Sequence, residues 1–292
     1  MKLGFFGDGT WAVNSLIKIK KIKKINIKFI CIRYDKPDYQ LVKFGKKNNL
    51  KIICIKDINN KKFINFLKLQ NLDLLVSMSY NQIFKEEIIS LYKKRIINCH
   101  AGLLPFYRGR SPLNWVLIKD EKYFGITVHF VNKFIDKGDI ILQKKFRIID
   151  SDNYKTLLLK SYYNCPKILT ESIQLILKNK VKPIIQNKID KIGSYFKKRN
   201  KGDEIINWKQ KSREIFCFIR ALTYPSVVAT TYYGNRKILI KKAQILKKYK
   251  LNNIEPGTIL KITNNFFIVK TMDTAIKVSK WNGIINNKLI LK

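Results

Sequence analysis

Apolar runs of strand length alternate with amphipathic helical stretches along the first half of the chain. The strand-like runs are Lys2–Phe6, Ile25–Arg33, Lys51–Ile55, Leu72–Ser77 and Arg95–His100. Between them the apolar residues recur three or four positions apart, which is typical of one face of a helix. These helical stretches are Trp11–Ile22, Leu41–Asn48, Lys61–Leu69 and Glu86–Tyr92. Such alternation predicts an α/β fold with a Rossmann-like, doubly wound and mostly parallel sheet.

The pattern changes in the second half of the chain. Two further strands, Ile126–Val131 and Ile140–Ile149, precede a long helix, Tyr154–Leu177, which we expect to be interrupted near Pro166. The periodicity then weakens over residues 182–200. This change predicts two domains, residues 1–200 and residues 201–292.

Short β-rich runs separated by turn residues dominate the predicted second domain. They follow a helix at Glu214–Leu222 and are Val227–Tyr233, Lys237–Ile245, Thr258–Ile262, Phe266–Lys270 and Lys288–Leu291. This pattern predicts a smaller β-rich C-terminal domain, a small barrel or sandwich that we describe as OB-like.

The net charge of +39 on 292 residues raises the question of a nucleic-acid partner. The lysines are spread along the whole chain with abundant isoleucine and asparagine, whereas an RNA-binding face would be expected to cluster its charges. We therefore favour a solvated surface of biased composition, which would still attract anionic substrates. Hydrophobic residues make up 46% of the chain, so a sizeable core can form.

Cysteine usage and the N-terminal segment indicate a reduced compartment. The five cysteines form no C-x-x-C pair, and with only two histidines a zinc site is not expected. The apolar start of the chain is cut short by Asp8, so it is better interpreted as a buried first strand than as a signal peptide. No apolar run reaches the roughly 18 residues that a membrane span needs. We expect a cytoplasmic protein without membrane insertion.

The turn after the first strand approximates a dinucleotide-binding fingerprint. Gly7-x-Gly9-x-x-Ala12 lies between a strand and a helix, and Asp35 lies near the end of the next strand. The third glycine is replaced by alanine and the acid comes later than in a typical fingerprint. We favour a tight structural turn and keep contact with a phosphate as the alternative.

The strongest candidate site begins at the end of the fifth strand. Asn98 and His100 are two residues apart, so alternation places both side chains on one face and Cys99 on the other. Ligands of parallel sheets bind at the carboxyl ends of strands. An amide, an imidazole and the later carboxylate of Asp136 could together transfer an acyl group to an amine.

Other polar residues near this segment receive separate interpretations. Arg108 and Arg110 flank a glycine, and such a pair more often binds an anion than remains a solvated charge. We interpret His129 as a structural strand residue and Asp139 as a turn-capping carboxylate. Trp115 lies at helical spacing and is expected in the core.

The motif Asn98-x-His100-x-x-Leu103-Leu104-Pro105-x-Tyr107-Arg108-Gly109, followed by Asp136-x-Gly138-Asp139, resembles that of formyltransferases that use 10-formyltetrahydrofolate. The likeness covers nearly the whole chain. It extends to residues 202–208 and 219–222, which resemble the opening of the C-terminal β domain of that family. The resemblance implies an N-formyltransferase that needs no metal.

Two branches of this family are candidates. Segment 73–84, the short stretch Tyr34–Gln40 and the segment Arg108–Trp115 are more similar to nucleotide-sugar N-formyltransferases. The resemblance thus favours formylation of a UDP- or dTDP-linked amino sugar for surface glycans such as lipopolysaccharide. Methionyl-tRNA formyltransferase is the alternative, and the high charge favours it modestly. A non-catalytic nucleotide- or RNA-binding protein is a second alternative.

The resemblance also assigns roles to residues. Asn98 and His100 are expected to donate to the formyl oxygen, while Asp136 orients His100 and takes a proton from the attacking amine. Contacts with the folate are expected from residues of three segments, namely Gln82, Ile83, Phe84, Arg110, Asn132, Lys133, Phe134 and Ile135. The partners are then folate and an amino-sugar nucleotide, and a homodimer is possible.

Overall fold

A computed structural model describes residues 1–247, 253–285 and 290–291. The chain folds into two compact units. The first unit contains Met1–Gly109, Phe124–Phe146 and Leu159–Tyr195, and the second contains Arg110–Tyr123, Arg147–Leu158 and Phe196–Lys292. The boundary after residue 200 remains a prediction. Among the described residues, no helix has the length and apolar character that crossing a membrane requires.

The helices and strands occupy much of the chain. The helices are α1 Gly9–Lys20, α2 Tyr39–Lys47, α3 Lys61–Leu69, α4 Glu86–Leu91, α5 Pro112–Ile118, α6 Tyr154–Leu177 and α7 Ser212–Ala221. The strands up to residue 200 are β1 Lys2–Gly7, β2 Asn26–Ile32, β3 Lys51–Cys54, β4 Leu74–Met78, β5 Ile96–His100, β6 Arg108–Gly109, β7 Tyr123–Phe130, β8 Ile140–Arg147 and β9 Tyr195–Phe196. The later strands are β10 Ala229–Tyr233, β11 Arg236–Leu246, β12 Ile259–Ile262, β13 Phe267–Lys270 and β14 Ala275–Asn282.

A seven-stranded sheet forms the centre of the first unit, with strand order β3-β2-β1-β4-β5-β7-β8. The pairings from β3 to β5 are parallel, whereas β7 runs antiparallel to β5. The predicted mostly parallel, doubly wound sheet is therefore confirmed. The antiparallel pairing places Asn98 directly opposite His129.

An aromatic core fixes the strands that lead to the candidate site. Phe6 near the end of β1 is fully buried, and its ring meets those of Phe29 and Phe84 edge-on at centroid distances of 5.6 and 5.0 Å. Edge-to-face pairs contribute about 0.5–1.5 kcal/mol each beyond the burial of area. The core thus holds the carboxyl end of β1 and the segment that follows β4 in a fixed register.

Helix α6 passes through Pro166 without a break, so the expected interruption is wrong. A proline cannot donate to the carbonyl four residues earlier, which here belongs to Tyr162. Asn14 on α1 supplies the missing donor, because its Nδ2 lies 3.3 Å from the Tyr162 carbonyl oxygen. A side chain from a neighbouring helix therefore satisfies the acceptor that the proline leaves, and the helix continues.

The second unit contains a five-stranded antiparallel sheet of order β10-β11-β14-β13-β12, and the predicted β-rich part is confirmed. The apolar pattern of the sequence does not predict β14, which lies between β11 and β13. Lys277 and Lys280 reduce its apolar content, and only one face is buried. The strand predicted at Lys288–Leu291 lies partly outside the described residues, and its last two residues form isolated bridges.

Asn14→Ala should lower the free energy of unfolding by about 1 kcal/mol, since it leaves the Tyr162 carbonyl without its side-chain donor. Urea denaturation measures this change. In a Pro166→Ala background the cost should shrink, because an alanine at this position can donate its own N–H to that carbonyl. Asn164→Ala is the matched control, since its amide also donates to a carbonyl of α6, that of Lys160. Equal costs of Asn14→Ala in both backgrounds would contradict this account.

Candidate active site

The predicted trio meets in one cluster at the carboxyl end of β5. The Nδ1 atom of His100 lies 3.6 Å from Oδ2 of Asp136, and Asn98 reaches the same cluster through His129. Cys99 faces away, with its sulfur 3.9 Å from the carbonyl oxygen of Cys165 on α6. The alternation expected from the sequence therefore places Asn98 and His100 on the same side of the sheet. Asn98 is partly exposed, so solvent reaches the cluster.

His129 also belongs to this cluster, so its interpretation as a structural strand residue is incomplete. Its Nε2 atom lies 3.3 Å from Nδ2 of Asn98 and 3.4 Å from Oδ1 of Asp136, and the side chain is buried. The signal that would have identified it is the antiparallel pairing of β7 with β5. That pairing is a long-range feature, which periodicity along one strand does not reveal.

Backbone carbonyls define the tautomers of the two histidines. Nε2 of His100 lies 2.7 Å from the Tyr107 carbonyl, and Nδ1 of His129 lies 2.7 Å from the Phe130 carbonyl. Because a carbonyl can only accept, each of these nitrogens carries a hydrogen. The remaining nitrogen of each ring then faces the carboxylate of Asp136. The two rings thus present different nitrogens to one shared acid.

Asp136 is held as a carboxylate. Burial would raise its pKa, but the charge of His100, the hydrogen bond and charge of His129 and the Gly109 N–H together hold that pKa well below its usual value. The Gly109 nitrogen donates to Oδ2 at 2.9 Å. Asp136 itself has a positive φ of 54°, which is unfavourable for a residue with a side chain and tends to persist only where the surroundings enforce it.

Glycines allow the loops of the site to approach closely. A Cβ atom at Gly138 would lie 1.7 Å from the Phe130 carbonyl oxygen, and one at Gly102 would lie 2.5 Å from Nε2 of His100. Neither position can therefore accept a side chain without displacement of the cluster. The spacing Asp136-x-Gly138 thus has a steric origin, because the glycine lets the loop return against β7 directly after the acid.

Arg108 is not available for the anion contact expected from the sequence. Its side chain is only 3% exposed, and its guanidinium donates to Oε1 of Gln186 at 2.8 Å and to the Ile192 carbonyl at 3.1 Å. Burial lowers the pKa of Arg108, while the charges of Asp136 and Asp190 oppose that shift. Arg110 lies in the second unit, where its backbone nitrogen donates to the Phe196 carbonyl. Its predicted contact with a cofactor stays a prediction.

The other predicted cofactor residues divide into structural and exposed ones. Gln82 binds the Ile58 nitrogen through its side chain, and Phe84 is buried in the aromatic core. Ile83 is exposed. The loop after β7 is exposed over four of these predicted positions, Asn132, Lys133, Phe134 and Ile135.

The turn after β1 uses its polar groups within the protein. The Gly9 nitrogen donates to the carboxylate of Asp38 at 3.1 Å. Arg33 forms ion pairs with Asp8 at 3.1 Å and with Asp35 at 2.6 Å. An internal carboxylate thus lies where a phosphate would contact a fingerprint turn. This arrangement is that of the tight structural turn favoured from the sequence.

Comparison with known proteins identifies the family. Residues 17–173 match the formyl transferase model, and residues 198–283 match the formyl transferase C-terminal domain. The chain belongs to the formyl transferase family. The resemblance inferred from the motif around Asn98 is therefore confirmed, and the family is one of enzymes.

Two curated relatives illustrate the range of the family. The bifunctional polymyxin resistance protein ArnA of Wigglesworthia glossinidia brevipalpis is 40% identical over 215 residues, which are 73% of this chain and 32% of that protein. This chain thus spans about a third of that relative's length. The methionyl-tRNA formyltransferase of Fusobacterium nucleatum is 33% identical, over 96% of this chain and 91% of that enzyme.

Two solved structures share the fold over almost their full length. WlaRD, a sugar 3N-formyl transferase solved in the presence of dTDP and 5-N-formyl-THF, has a TM-score of 0.73 and 25% identity over 98% of this chain and 99% of its own. The N-formyltransferase of Helicobacter canadensis has a TM-score of 0.71 at 23% identity over 97% of this chain and 100% of its own, and it shows the same fold.

Asp136→Asn should lower the free energy of unfolding at neutral pH, because it removes an ionised partner of two buried rings. A carboxyl whose pKa is lowered in the folded state contributes stability above its unfolded pKa of about 4, and this is lost as the pH falls through the folded value. The free energies of unfolding of the wild type and the variant should therefore approach each other only below about pH 4. Urea denaturation as a function of pH measures it.

The matched control for this test is Asp139→Asn, which removes a carboxylate from the same loop. Its free energy of unfolding should be close to that of the wild type at neutral pH, where Asp136→Asn is expected to lose stability. The wild type could instead remain more stable than Asp136→Asn by the same free energy of unfolding down to about pH 2. That result would show that the ionised carboxylate is not the source of the stability.

Proposed function

We propose that this protein transfers the formyl group of 10-formyltetrahydrofolate to the amine of a UDP- or dTDP-linked amino sugar, for surface-glycan synthesis in the cytoplasm. The observation that carries the proposal is the cluster of Asn98, His100 and Asp136 in a chain of the formyl transferase family. The sugar 3N-formyl transferase, which resembles this chain over nearly its full length, was solved with dTDP and a formylated folate. Those ligands are of the classes that the proposed reaction requires.

The reaction needs a site that stabilises charge and moves a proton. The amine nitrogen forms a bond to the formyl carbon, and the carbonyl oxygen gains negative charge. The bond from that carbon to folate N10 then breaks, N10 takes up a proton, and the former amine loses one. Tetrahydrofolate and the formamide are the products, so the atoms balance without a metal or a redox partner.

Asn98 is the group best placed to meet the developing negative charge. Its Nδ2 atom lies 3.3 Å from Nε2 of His129, and an amide nitrogen carries two hydrogens, so a second donor remains whichever role that contact takes. Since the side chain is partly exposed, that second donor can reach a substrate oxygen. A preorganised donor of this kind acts without reorganisation when the charge appears.

His100 and Asp136 are suited to proton transfer. Nε2 of His100 is committed to the Tyr107 carbonyl, so Nδ1 is the atom that exchanges a proton with the substrate. The distance of 3.6 Å to Asp136 is too long for a strong hydrogen bond, which leaves that proton available. With its lowered pKa, Asp136 is a weak base, and we assign it to stabilise a proton on the imidazole rather than to keep one itself.

The exposed apolar side chains of the first unit are suited to hold a folate. Ile83 follows β4, and Phe134 and Ile135 lie in the loop between β7 and β8, each roughly half exposed. A pterin ring needs an apolar surface with nearby backbone donors and acceptors, and both segments supply backbone groups. When bound, the folate would supply the activated formyl carbon, and these residues would hold and orient it.

Asn98→Ala should reduce kcat about 100–1,000-fold, because one preorganised donor to the oxyanion is lost. His100→Ala and Asp136→Ala should each reduce turnover by about 100–10,000-fold through loss of proton transfer. Cys99→Ala is the matched control, since it alters the same strand on its opposite face. Near-normal rates for properly folded His100→Ala and Asp136→Ala would refute the catalytic assignment.

The substrate can be identified with a panel of acceptors. Purified protein is mixed with 10-formyltetrahydrofolate and one UDP- or dTDP-linked amino sugar at a time, and tetrahydrofolate release is followed. We expect release with at least one amino-sugar nucleotide and none with the matching sugar that lacks the amine. Formylation of methionyl-tRNA, with no reaction of any sugar, would overturn the choice of acceptor.

Methionyl-tRNA formyltransferase is the second candidate function. It is favoured by the 33% identity to such an enzyme over most of both chains and by the net charge of +39. An RNA acceptor would make kcat/KM fall steeply with salt, since counterions are released when phosphates are bound. A small sugar nucleotide carries few charges, so its rate would depend much less on salt.

A further inference from the structure

The chain after α6 returns across both loops of the candidate active site. We call residues 184–195 the return segment. Its first residue pairs with Ile140 at the start of β8 through two backbone hydrogen bonds of 2.8 and 2.9 Å. Further along, the Ser194 nitrogen donates to the Pro105 carbonyl, and the Ser194 carbonyl accepts from the Arg108 nitrogen. The segment therefore bridges the loop that follows His100 and the strand that follows Asp136.

Gln186 is the residue through which the return segment binds the loop of Asp136. Its side chain is only 2% exposed. Nε2 donates to the carbonyl oxygens of Asp136 and Gly138 at 2.8 and 2.7 Å, and Oε1 accepts two hydrogen bonds from Arg108. Both ends of one buried amide are thus used, and each end holds a different loop of the site.

Arg108 connects Gln186 to the catalytic side chains. The preceding residue, Tyr107, offers its carbonyl to His100, and the following residue, Gly109, donates its N–H to Asp136. The guanidinium between them is fixed by Gln186 and by the Ile192 carbonyl. A displacement of Arg108 would therefore move the hydrogen-bond partners of both residues at once.

The atoms around Arg108 are closely packed. Gly193 has a φ of 64°, and a Cβ atom there would lie 2.3 Å from the Pro105 carbonyl oxygen and 2.9 Å from an Arg108 guanidinium nitrogen. The Tyr107 nitrogen also donates to the hydroxyl of Ser194 at 2.9 Å. A side chain at position 193 would therefore displace the Pro105 loop or the Arg108 guanidinium.

We propose that Gln186 and Arg108 are positioning residues for the formyl transfer, which set the distance between His100 and Asp136 from the return segment. This inference rests on the proposed function for its kinetic part, but its geometric part holds for any chemistry of the cluster. Neither residue needs to contact a substrate. A misplacement of reacting groups by about 1 Å can cost on the order of 100-fold in rate.

Gln186→Glu tests the hydrogen bonds of Gln186 to the loop of Asp136 with little change in side-chain size. It keeps an acceptor for Arg108 but replaces the donors to the two loop carbonyls with an oxygen. We expect kcat to fall about 100-fold, with a much smaller change in KM for either substrate. Arg108→Lys, which keeps the charge but loses the planar fork, should act in the same direction. Ser194→Ala removes only one bond to the loop and should give a smaller loss.

The controls make the same chemical changes away from the site. Arg95→Lys alters a guanidinium that also binds two backbone carbonyls, those of Leu72 and Leu91, at the opposite end of β5. Gln70→Glu adds the same charge at the end of α3. Both controls should retain wild-type kcat per folded molecule.

A second readout does not depend on any substrate. The chain contains only two histidines, and both lie in the cluster, so ring ¹H–¹⁵N spectra report on it without background. The signals of His100 and His129 should shift in Gln186→Glu and Arg108→Lys but not in the controls. Folded variants with unchanged histidine signals and unchanged kcat would overturn the positioning role. A wild type that transfers no formyl group, yet shows these shifts, would overturn only the proposed function.

If Gln186→Glu does not fold, Arg108→Lys and Ser194→Ala decide the question by the same two measurements. A merely structural role would lower the free energy of unfolding and leave both kcat per folded molecule and the histidine signals as in the wild type. That result in the two milder variants would equally overturn the proposal.

Discussion

The site depends on one buried carboxylate that two imidazole rings share. Asp136 faces Nδ1 of His100 and Nε2 of His129, while backbone carbonyls fix the opposite nitrogen of each ring. An ionised carboxylate is costly to bury unless it is hydrogen-bonded and paired. The Gly109 N–H and the two rings supply that compensation. The arrangement keeps the acid charged.

Holding that carboxylate requires backbone conformations that the chain would not otherwise adopt. Asp136 and Tyr107 both have positive φ values, 54° and 59°, and each such residue costs on the order of 1 kcal/mol or more. Surrounding hydrogen bonds must enforce them. Thr127 and Gln143 hold the loop after β5 from the neighbouring strands, while Gln186 holds the loop of Asp136. Local strain at the site is thus compensated by contacts from distant parts of the sequence.

The contrast between local and long-range contacts explains how much of the site the sequence predicts. The period-two pattern of β5 correctly places Asn98 and His100 together, because that relation is local. His129 joins them only through an antiparallel pairing, which no local pattern encodes. Residues 182–200 carry no clear periodicity, which indicates only the approach to a domain boundary. In the structure that stretch includes Gln186, whose buried amide has meaning only when both loops surround it.

The burial of the cluster is also relevant to why this chain resembles relatives whose names indicate different substrates. His100 and His129 are 7% and 2% exposed, whereas Asn98 is partly exposed, so solvent meets the cluster mainly at the amide. In the reaction that we propose, only the amine and the formyl carbon need to reach that point, and the group that carries the amine can remain outside. Under that proposal the cluster itself does not distinguish a sugar nucleotide from a tRNA. Both carriers are anionic, the tRNA far more so, and a net charge of +39 attracts either one, so we expect selectivity to arise from surface residues that contact the carrier rather than from the cluster itself.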